Sequence, residues 1–172
     1  MVKKITPPQN ATDLDAPDIQ LRDAIPEDLP VFFLQQLEPD ANHMAAFTRK
    51  DPSNQEAFNL HWAKLLRDES IQIKTIVFAG NIAGYVLKYE LFGKPELGYW
   101  IGKEYWGQGI ATQAVADFIV WLNIRPLHAR AAKDNFASLR VLAKNGFEVC
   151  GEGSDFANAR GEEIEETAWI LR

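Results

Sequence analysis

Apolar residues recur along the first half of the chain with spacings that predict one strand and two helices. Residues 19–22, Ile-Gln-Leu-Arg, are predicted to form a short strand. A helix is predicted to begin at Pro26, with acidic residues in its first turn and an apolar face made of Leu29, Phe32, Phe33 and Leu37. Ser53 and Glu56 have the spacing of a capping box, which predicts a second helix that ends near Asp68 and buries Phe58, Trp62, Leu65 and Leu66. Residues 38–52, between these helices, are predicted to be irregular.

Three further apolar runs predict an antiparallel meander in the middle of the chain. The predicted strands are Ile71–Phe78, Ile82–Leu91 and Glu96–Ile101. Gly80 and Asn81 favour a tight hairpin between the first two strands, and Gly93 with Pro95 makes the second turn.

The remaining pattern alternates between helices and strands. It predicts a helix over 109–123, a strand over Leu127–Ala132, a helix over Asn135–Asn145 that Gly146 closes, and strands over Phe147–Cys150 and Ile164–Leu171. We therefore expect one mixed α/β (α+β) domain over residues 18–172, with a sheet of about seven strands and about four helices. Residues 1–17 contain three prolines and no apolar periodicity, and are predicted to be a loose N-terminal arm.

Composition narrows the class of protein. A chain of 172 residues with 47% hydrophobic content can build one sizeable core. A net charge of −6 argues against non-specific nucleic-acid binding, and the longest apolar runs are too short to span a membrane. We expect a cytoplasmic domain that binds neither nucleic acid nor a membrane.

The single cysteine, Cys150, excludes an internal disulfide and any cysteine-based zinc cluster. Because it lies in the apolar run Phe147–Cys150, it is predicted to be a buried structural thiol. We expect no metal site.

A glycine-rich turn follows the strand Glu96–Ile101 and leads into the next helix. Gly107 and Gly109 precede an apolar helical pattern, and nothing from 107 to 116 is charged. Free N–H groups at a helix start, a positive dipole end and glycines that allow close approach can together hold a phosphate. A tight strand-to-helix turn without a ligand explains the same glycines.

A second informative stretch runs from Asn135 to Phe147. Asn135 suits a helix N-cap, Ser138 can occupy the third helical position and Gly146 suits the helix end. Helix capping alone explains these residues.

Together the two stretches resemble the GNAT acetyltransferase superfamily, and within it the Rim-like branch that includes ribosomal-protein N-terminal acetyltransferases. The matching segments are Glu96-Leu97-Gly98-Tyr99-Trp100-Ile101, Tyr105–Thr112, and Asn135-x-x-Ser138 leading to Gly146-Phe147. The family signature Gln/Arg-x-x-Gly-x-Gly/Ala has Trp106 in its leading polar position here, which removes one side-chain donor and leaves the backbone amides.

The resemblance implies a twisted sheet that splays open beside residues 96–101, with pantetheine between the strands and acetyl-CoA as co-substrate. It assigns cofactor binding to Trp100, Ile101, Trp106, Gly107, Gln108, Gly109, Ile110, Ala111, Thr112, Asn135 and Ser138. It assigns the acceptor pocket to Met44, Phe47, Phe58 and Trp62, which an ordinary apolar core would explain equally well.

Acyl transfer to an amine requires a neutral nucleophile, a stabilised oxyanion and a leaving thiolate. Glu96, at a strand edge beside a solvated cleft, is the proposed base, acting through water. Backbone amides near Trp100 and Ile101 are expected to polarise the thioester carbonyl. Many family members carry a tyrosine as the acid for the thiolate, where this chain has Leu142, which cannot donate. The resemblance to the Rim-like branch implies that Ser138 is the donor to the thiolate instead.

The resulting hypothesis is an N-acetyltransferase that moves acetyl from acetyl-CoA to a primary amine by direct attack in a ternary complex. The acceptor is a small molecule, an amino acid or a protein N-terminus. The alternative is a catalytically silent acyl-CoA-binding or interaction module, because Trp106 and Leu142 replace polar family residues. Dinucleotide binding is disfavoured, because the turn lacks a third glycine at the required spacing. The sequence decides neither the acceptor nor the oligomeric state.

Overall fold

In the computed structural model, which describes residues 16–172, seven strands form one sheet and five α-helices pack against it. In chain order the strands are β1 (Ile19–Asp23), β2 (Gln72–Phe78), β3 (Asn81–Leu91), β4 (Lys94–Ile101), β5 (Leu127–Ala132), β6 (Glu148–Ala157) and β7 (Glu162–Leu171). The helices are α1 (Leu29–Leu37), α2 (Pro39–Ala45), α3 (Gln55–Arg67), α4 (Ile110–Leu122) and α5 (Phe136–Lys144). The predicted arm, residues 1–17, lies outside the described residues apart from its last two.

The strand order is β1-β2-β3-β4-β5-β7-β6, and every neighbouring pair is antiparallel except β4 and β5. These two parallel strands pair only at Glu96 with His128 and at Leu97 with Ala129. Beyond that point, residues 98–101 of β4 pair with β3 alone, and residues 130–132 of β5 pair with β7 alone. The separation between these two segments is called the sheet gap below, and it confirms the expected mixed, splayed sheet.

Two apolar layers cover the two faces of the sheet. Helices α4 and α5 cover one face, where Leu97 and Ile101 of β4 pack with Ile110, Ala114 and Phe118 of α4. On the other face, α1 and α3 enclose an aromatic cluster of Phe32, Phe33, Phe58 and Trp62, with Tyr85 of β3 against it. No helix within residues 16–172 is long and apolar enough to cross a membrane.

The prediction that residues 38–52 are irregular is wrong for residues 39–45, which form α2. The carboxylate of Glu38 accepts a 2.8 Å hydrogen bond from the Ala41 N–H, and Pro39 occupies the first helical position. An acidic N-cap followed by proline is a helix start that the weak apolar pattern concealed. The domain therefore has five α-helices instead of four.

The predicted capping box at Ser53 is also wrong, because the N-cap of α3 is Asn54. The Asn54 side chain accepts a 2.9 Å hydrogen bond from the Ala57 N–H. Ser53 instead donates its hydroxyl to the Asp51 carboxylate at 2.6 Å. The helix therefore begins one residue later than a Ser53 cap would place it.

Both hairpin turns of the meander lie slightly earlier in the chain than predicted, and Pro95 belongs to β4. Ala79 and Gly80, with φ of 48° and 77°, form the first turn, and Asn81 already belongs to β3. Phe92 and Gly93, with φ of 50° and 73°, form the second. Two successive positive φ angles characterise the type I′ turn that matches strand twist.

Cys150 is exposed, which corrects the prediction of a buried thiol. Strand β6 lies at the edge of the sheet, and its first three residues are exposed. The short segment Phe147–Cys150, which contains Glu148, did not distinguish an edge strand from a core strand.

Candidate active site

A cavity of about 730 Å³ extends along the sheet gap and reaches both faces of the sheet. On the α4–α5 side its walls include residues of the glycine turn, the start of α4 and the start of α5. On the α1–α3 side its walls include Met44, Phe47, Tyr89, Trp100 and Arg130. The residues expected to hold the cofactor all line it except Gln108, whose side chain donates to the Glu104 carbonyl at 3.3 Å.

Backbone N–H groups in a strand point alternately toward its two neighbours. The Gly102 N–H donates to the Ala83 carbonyl of β3 at 2.9 Å. The N–H of Trp100 therefore also points to β3, whereas those of Tyr99 and Ile101 point into the sheet gap. Of the two amides expected to polarise a thioester carbonyl, only that of Ile101 faces the gap, and the second gap-facing amide belongs to Tyr99.

The glycine turn leads into the exposed N-terminus of α4. Gly107 and Gly109 have φ of 72° and 76°, and Gly109 is the N-cap. The first intrahelical bond runs from the Gln113 N–H to the Gly109 carbonyl. The amides of residues 110–112 precede that bond, so they have no partner within the helix and are available to an anion.

The indole N–H of Trp106 makes a hydrogen bond within the protein. Its Nε1 donates to the Ile101 carbonyl at 2.9 Å, across the mouth of the sheet gap. The residue is 41% exposed and lines the cavity. The residue that replaces the family's polar side chain thus connects the glycine turn to the end of β4.

Asn135 connects α5 to the segment around α2. Its Oδ1 accepts from the Ser138 N–H at 3.2 Å, and its Nδ2 donates to the Met44 carbonyl at 3.1 Å. The backbone carbonyl of Asn135 accepts from the Leu139 N–H at 3.0 Å. Asn135 lines the cavity, but each of these polar groups already has one partner within the protein.

The Ser138 hydroxyl faces the cavity from the first turn of α5. Its Oγ lies 2.5 Å from the Tyr99 Oη, which approaches from β4. Burial raises the pKa of the Tyr99 phenol to about 12, although the hydrogen bond with Ser138 acts in the opposite direction. Leu142, one turn further along α5, is 1% exposed and adds an apolar wall.

Glu96 is expected at a solvated strand edge, but its side chain is buried and the residue is only 7% exposed. Its carboxylate accepts a hydrogen bond from the Tyr89 Oη at 3.2 Å and lies 3.4 Å from the Arg130 Nε. The Nη1 of Arg130 lies 3.2 Å from Glu166. Tyr89 and Arg130 are on the cavity wall, whereas Glu96 is behind them.

Burial and these carboxylates shift the protonation of both neighbours. Burial, followed by the negative charge of Glu96, raises the pKa of the Tyr89 phenol to about 12. Burial alone would lower the pKa of Arg130, but Glu96 and Glu166 outweigh it and raise that pKa. Tyr89 therefore stays neutral and Arg130 cationic near pH 7.

The four residues expected to shape the acceptor pocket separate into two pairs. Met44 and Phe47, in α2 and the segment after it, line the cavity. Phe58 and Trp62 are each 4% exposed, belong to the aromatic cluster and do not line it. Phe58 and Trp62 lie on the same face of α3, which packs against β3.

Tyr89, Tyr99 and Arg130 also lie on the cavity wall, and no pattern in the sequence assigned them a role there. A sequence signal existed for Arg130, because it is the one long charged residue among the small and apolar residues that follow His128 in β5. The indole Nε1 of Trp100 is buried with no hydrogen-bond partner among the described residues.

Comparisons with known proteins agree with this architecture. A profile of the acetyltransferase (GNAT) domain family matches residues 18–148. An uncharacterised N-acetyltransferase, p20, from Bacillus licheniformis is 31% identical over 77 residues, which are 42% of this chain and 43% of that protein. The chain thus aligns with less than half the length of this relative.

Solved structures show the same fold at low sequence identity. Spermidine N-acetyltransferase from Vibrio cholerae, in complex with CoA and spermine, superposes with a TM-score of 0.76 at 18% identity, over 89% of this chain and 94% of that one. RimJ from Mycobacterium smegmatis, in complex with CoA-disulfide, superposes with a TM-score of 0.71 at 18% identity, over 91% and 83%. With the family profile covering most of residues 18–172, the chain belongs to the GNAT acetyltransferase family.

Proposed function

We propose that this protein is an acetyl-CoA-dependent N-acetyltransferase whose acceptor is a primary amine of a small molecule, an amino acid or a protein N-terminus. The observation that carries the proposal is the cavity that joins the two faces of the splayed sheet. A cofactor can enter from the glycine turn, and an acceptor can reach the same gap from the α1–α3 side.

Different groups around the sheet gap would bind different parts of the cofactor. The free amides at the start of α4 would hold the pyrophosphate, since glycines with positive φ leave the backbone open to it. The exposed strand edge, residues 98–101, would pair with the pantetheine amides. The gap-facing amides of Tyr99 and Ile101 would donate to the thioester oxygen as negative charge develops on it.

In the transfer step, the amine nitrogen bonds to the thioester carbon, and the C–S bond breaks with its electron pair on sulfur. The proton lost by the nitrogen passes to solvent or to the thiolate, which balances the reaction. An α-amine with a pKa near 8 is about a quarter neutral at pH 7.5, but a lysine amine only about a thousandth. An acceptor of low pKa therefore needs little help from a base.

The role of Glu96 as a base acting through water competes with deprotonation by solvent. Its carboxylate already accepts from Tyr89 and Arg130 and is absent from the cavity wall. These contacts support a second role, in which Glu96 orients two side chains that an acceptor would contact. A comparison of the pH–rate profiles of wild type and Glu96→Gln separates the two roles.

The acceptor classes are tested by a screen of amines, amino acids and peptides with free N-termini, measuring release of the CoA thiol. Spermine accompanies CoA in the Vibrio cholerae structure, so polyamines belong in the screen. We expect saturable thiol release with at least one acceptor, and mass spectrometry should find one acetyl group added to it.

The alternative is a silent acyl-CoA-binding module, which Leu142 and Trp106 favour because neither offers a donor to the cofactor. Calorimetric binding of CoA beside the same screen separates the two functions. Tight binding of CoA without transfer to any acceptor would support the silent module. Absence of CoA binding would contradict both.

A further inference from the structure

We infer that Tyr99 is a positioning residue for the leaving group: its hydroxyl donates to the Ser138 Oγ and thereby directs the Ser138 proton toward the CoA sulfur. The inference rests on the proposed function for the identity of the thiol.

The geometry is a pair of hydroxyls that meet on the cavity wall from opposite sides of the sheet gap. Tyr99 extends from β4 toward α5, and Ser138 lies in the first turn of α5. Their oxygens are 2.5 Å apart, and among the described residues neither hydroxyl has another hydrogen-bond partner. Both residues line the cavity at the point where β4 and β5 no longer pair.

Each hydroxyl carries one proton, so only one of the two can donate within the pair. A phenol is more acidic than an aliphatic alcohol and is the better donor, whereas the serine oxygen is the better acceptor. Burial raises the pKa of Tyr99 to about 12, so the phenol keeps its proton across the neutral range. With the Tyr99 proton committed to Ser138, the Ser138 proton is free to donate into the cavity.

The two residues would stabilise the leaving thiolate by hydrogen bonding, and neither would transfer its proton. A thiol like that of CoA titrates near the cysteine value of about 8.5, well below the pKa of either hydroxyl, so a thiolate would not deprotonate them. As the C–S bond breaks, the electron pair arrives on sulfur and strengthens the hydrogen bond from Ser138. The bond from Tyr99 polarises the serine hydroxyl and adds to that stabilisation. Tyr99 and Ser138 end the step with the protons they began with.

The first test needs no acceptor. CoA is bound to wild type, Tyr99→Phe, Ser138→Ala and the double variant, and the thiol is titrated through the ultraviolet absorbance of its thiolate. Ser138→Ala removes the donor to the sulfur, and Tyr99→Phe removes the hydrogen bond that polarises that donor, so each single variant should raise the pKa of the bound CoA thiol by about 0.5 to 1. The double variant should match Ser138→Ala, because Tyr99 acts through Ser138.

The second test measures turnover with the acceptor found in the screen. Tyr99→Phe should lower kcat about tenfold and leave CoA affinity within about threefold, because the hydrogen bond strengthens only as charge develops on sulfur. The matched control is Tyr85→Phe on β3, whose ring packs in the aromatic cluster away from the cavity. It should change neither kcat nor the thiol pKa.

An unchanged thiol pKa in Tyr99→Phe would overturn the inference, as would a double variant in which the two effects simply add. A loss confined to CoA affinity would also overturn it, since that is the result of a purely structural contact. Failure of the proposed function gives a different pattern. In that case the thiol pKa shifts as described, while wild type acetylates no acceptor.

Discussion

The Trp106 Nε1 donates a 2.9 Å hydrogen bond to the backbone carbonyl of Ile101. In a β-strand the N–H and the carbonyl of one residue point to the same side, so both groups of Ile101 face the sheet gap. Trp106 satisfies the carbonyl, and the N–H remains available. A side chain at the position where the family signature has a polar residue therefore holds the end of β4 in place.

Trp106→Phe tests this contact, because it keeps an aromatic ring but removes the donor. Loss of one hydrogen bond of about 1 kcal/mol should lower kcat/KM roughly fivefold. Steady-state kinetics with acetyl-CoA as the varied substrate measure the change. Trp121→Phe is the control, because Trp121 is on the outer surface of α4 and 52% exposed. Equal kinetics for wild type and Trp106→Phe would mean that the contact does not position the gap.

Gly109→Val tests the anion site at the start of α4. A valine at φ of 76° is strained, so the variant must be compared with one that carries the same strain elsewhere. Gly80→Val is that control, because Gly80 has φ of 77° and lies in the β2–β3 turn with nothing within 4 Å of an added Cβ.

Both glycine variants should lose similar thermal stability, but only Gly109→Val should lose CoA binding, by about 100-fold or more. The added Cβ would lie 3.7 Å from the Pro17 side chain at the N-cap of α4, so the valine should displace the glycine turn and with it the free amides of residues 110–112. Calorimetry on the folded proteins gives the comparison. Equal CoA affinity in the two variants would place the pyrophosphate somewhere else.

The sequence predicted best those features whose physical causes act between residues close together in the chain. The strands, most helices and the glycine turn follow from periodicity and from residues that tolerate positive φ, which act over a few positions. The helix at Pro39–Ala45 was missed because its cap, Glu38, is a weaker signal than apolar spacing. Even a local signal placed the N-cap of α3 at Ser53, one residue before the observed Asn54.

The polar contacts of the site could not be predicted in the same way. Tyr99 and Ser138 are 39 positions apart, and Arg130 is 34 positions from Glu96. Each contact exists because β5 follows β4 in the sheet and then separates from it. From the sequence, only the resemblance to a known family implied that the sheet opens beside β4. That resemblance did not specify the contacts that Tyr99 and Arg130 make.

Asp28 makes the free energy of unfolding of this domain depend on pH in the acidic range. The carboxylate is 2% exposed and accepts hydrogen bonds from Arg22, Thr75 and the Ile25 N–H. Burial would raise its pKa, but these bonds outweigh burial and lower it. Its contribution is therefore complete above the unfolded value of about 4 and is lost as the pH falls through the lower folded pKa.

Asp28→Asn should reduce the free energy of unfolding at pH 7 by about 2 to 3 kcal/mol, less than for a fully buried pair because Arg22 is partly exposed. Urea unfolding from pH 7 down to pH 3 measures it. The difference between wild type and Asp28→Asn should shrink below about pH 4. A constant difference over that range would show that the ionised carboxylate is not the stabilising form.

Glu96 is the residue whose role the structure changes most. A base acting through water needs a lone pair directed at the acceptor, but this carboxylate does not line the cavity and accepts from Tyr89 and Arg130, which do. We therefore expect Glu96→Gln to lower turnover less than about tenfold, through displacement of those two side chains. Glu166→Gln is the matched control, because it also removes a carboxylate from Arg130 and leaves Glu96 intact.

The decisive measurement is the pH–rate profile of both variants and wild type with two acceptors of different pKa. If solvent deprotonates the amine, the rate should rise with pH to a plateau set by the acceptor, and all three profiles should be parallel. If Glu96 is the base, Glu96→Gln should lose about 10² to 10⁴ in turnover. That loss should be largest for the acceptor of higher pKa, since the weaker base already arrives neutral, and Glu166→Gln should not share it. Such a pattern would restore Glu96 as the base, with Arg130 and Tyr89 holding the carboxylate in position for the water that carries the proton.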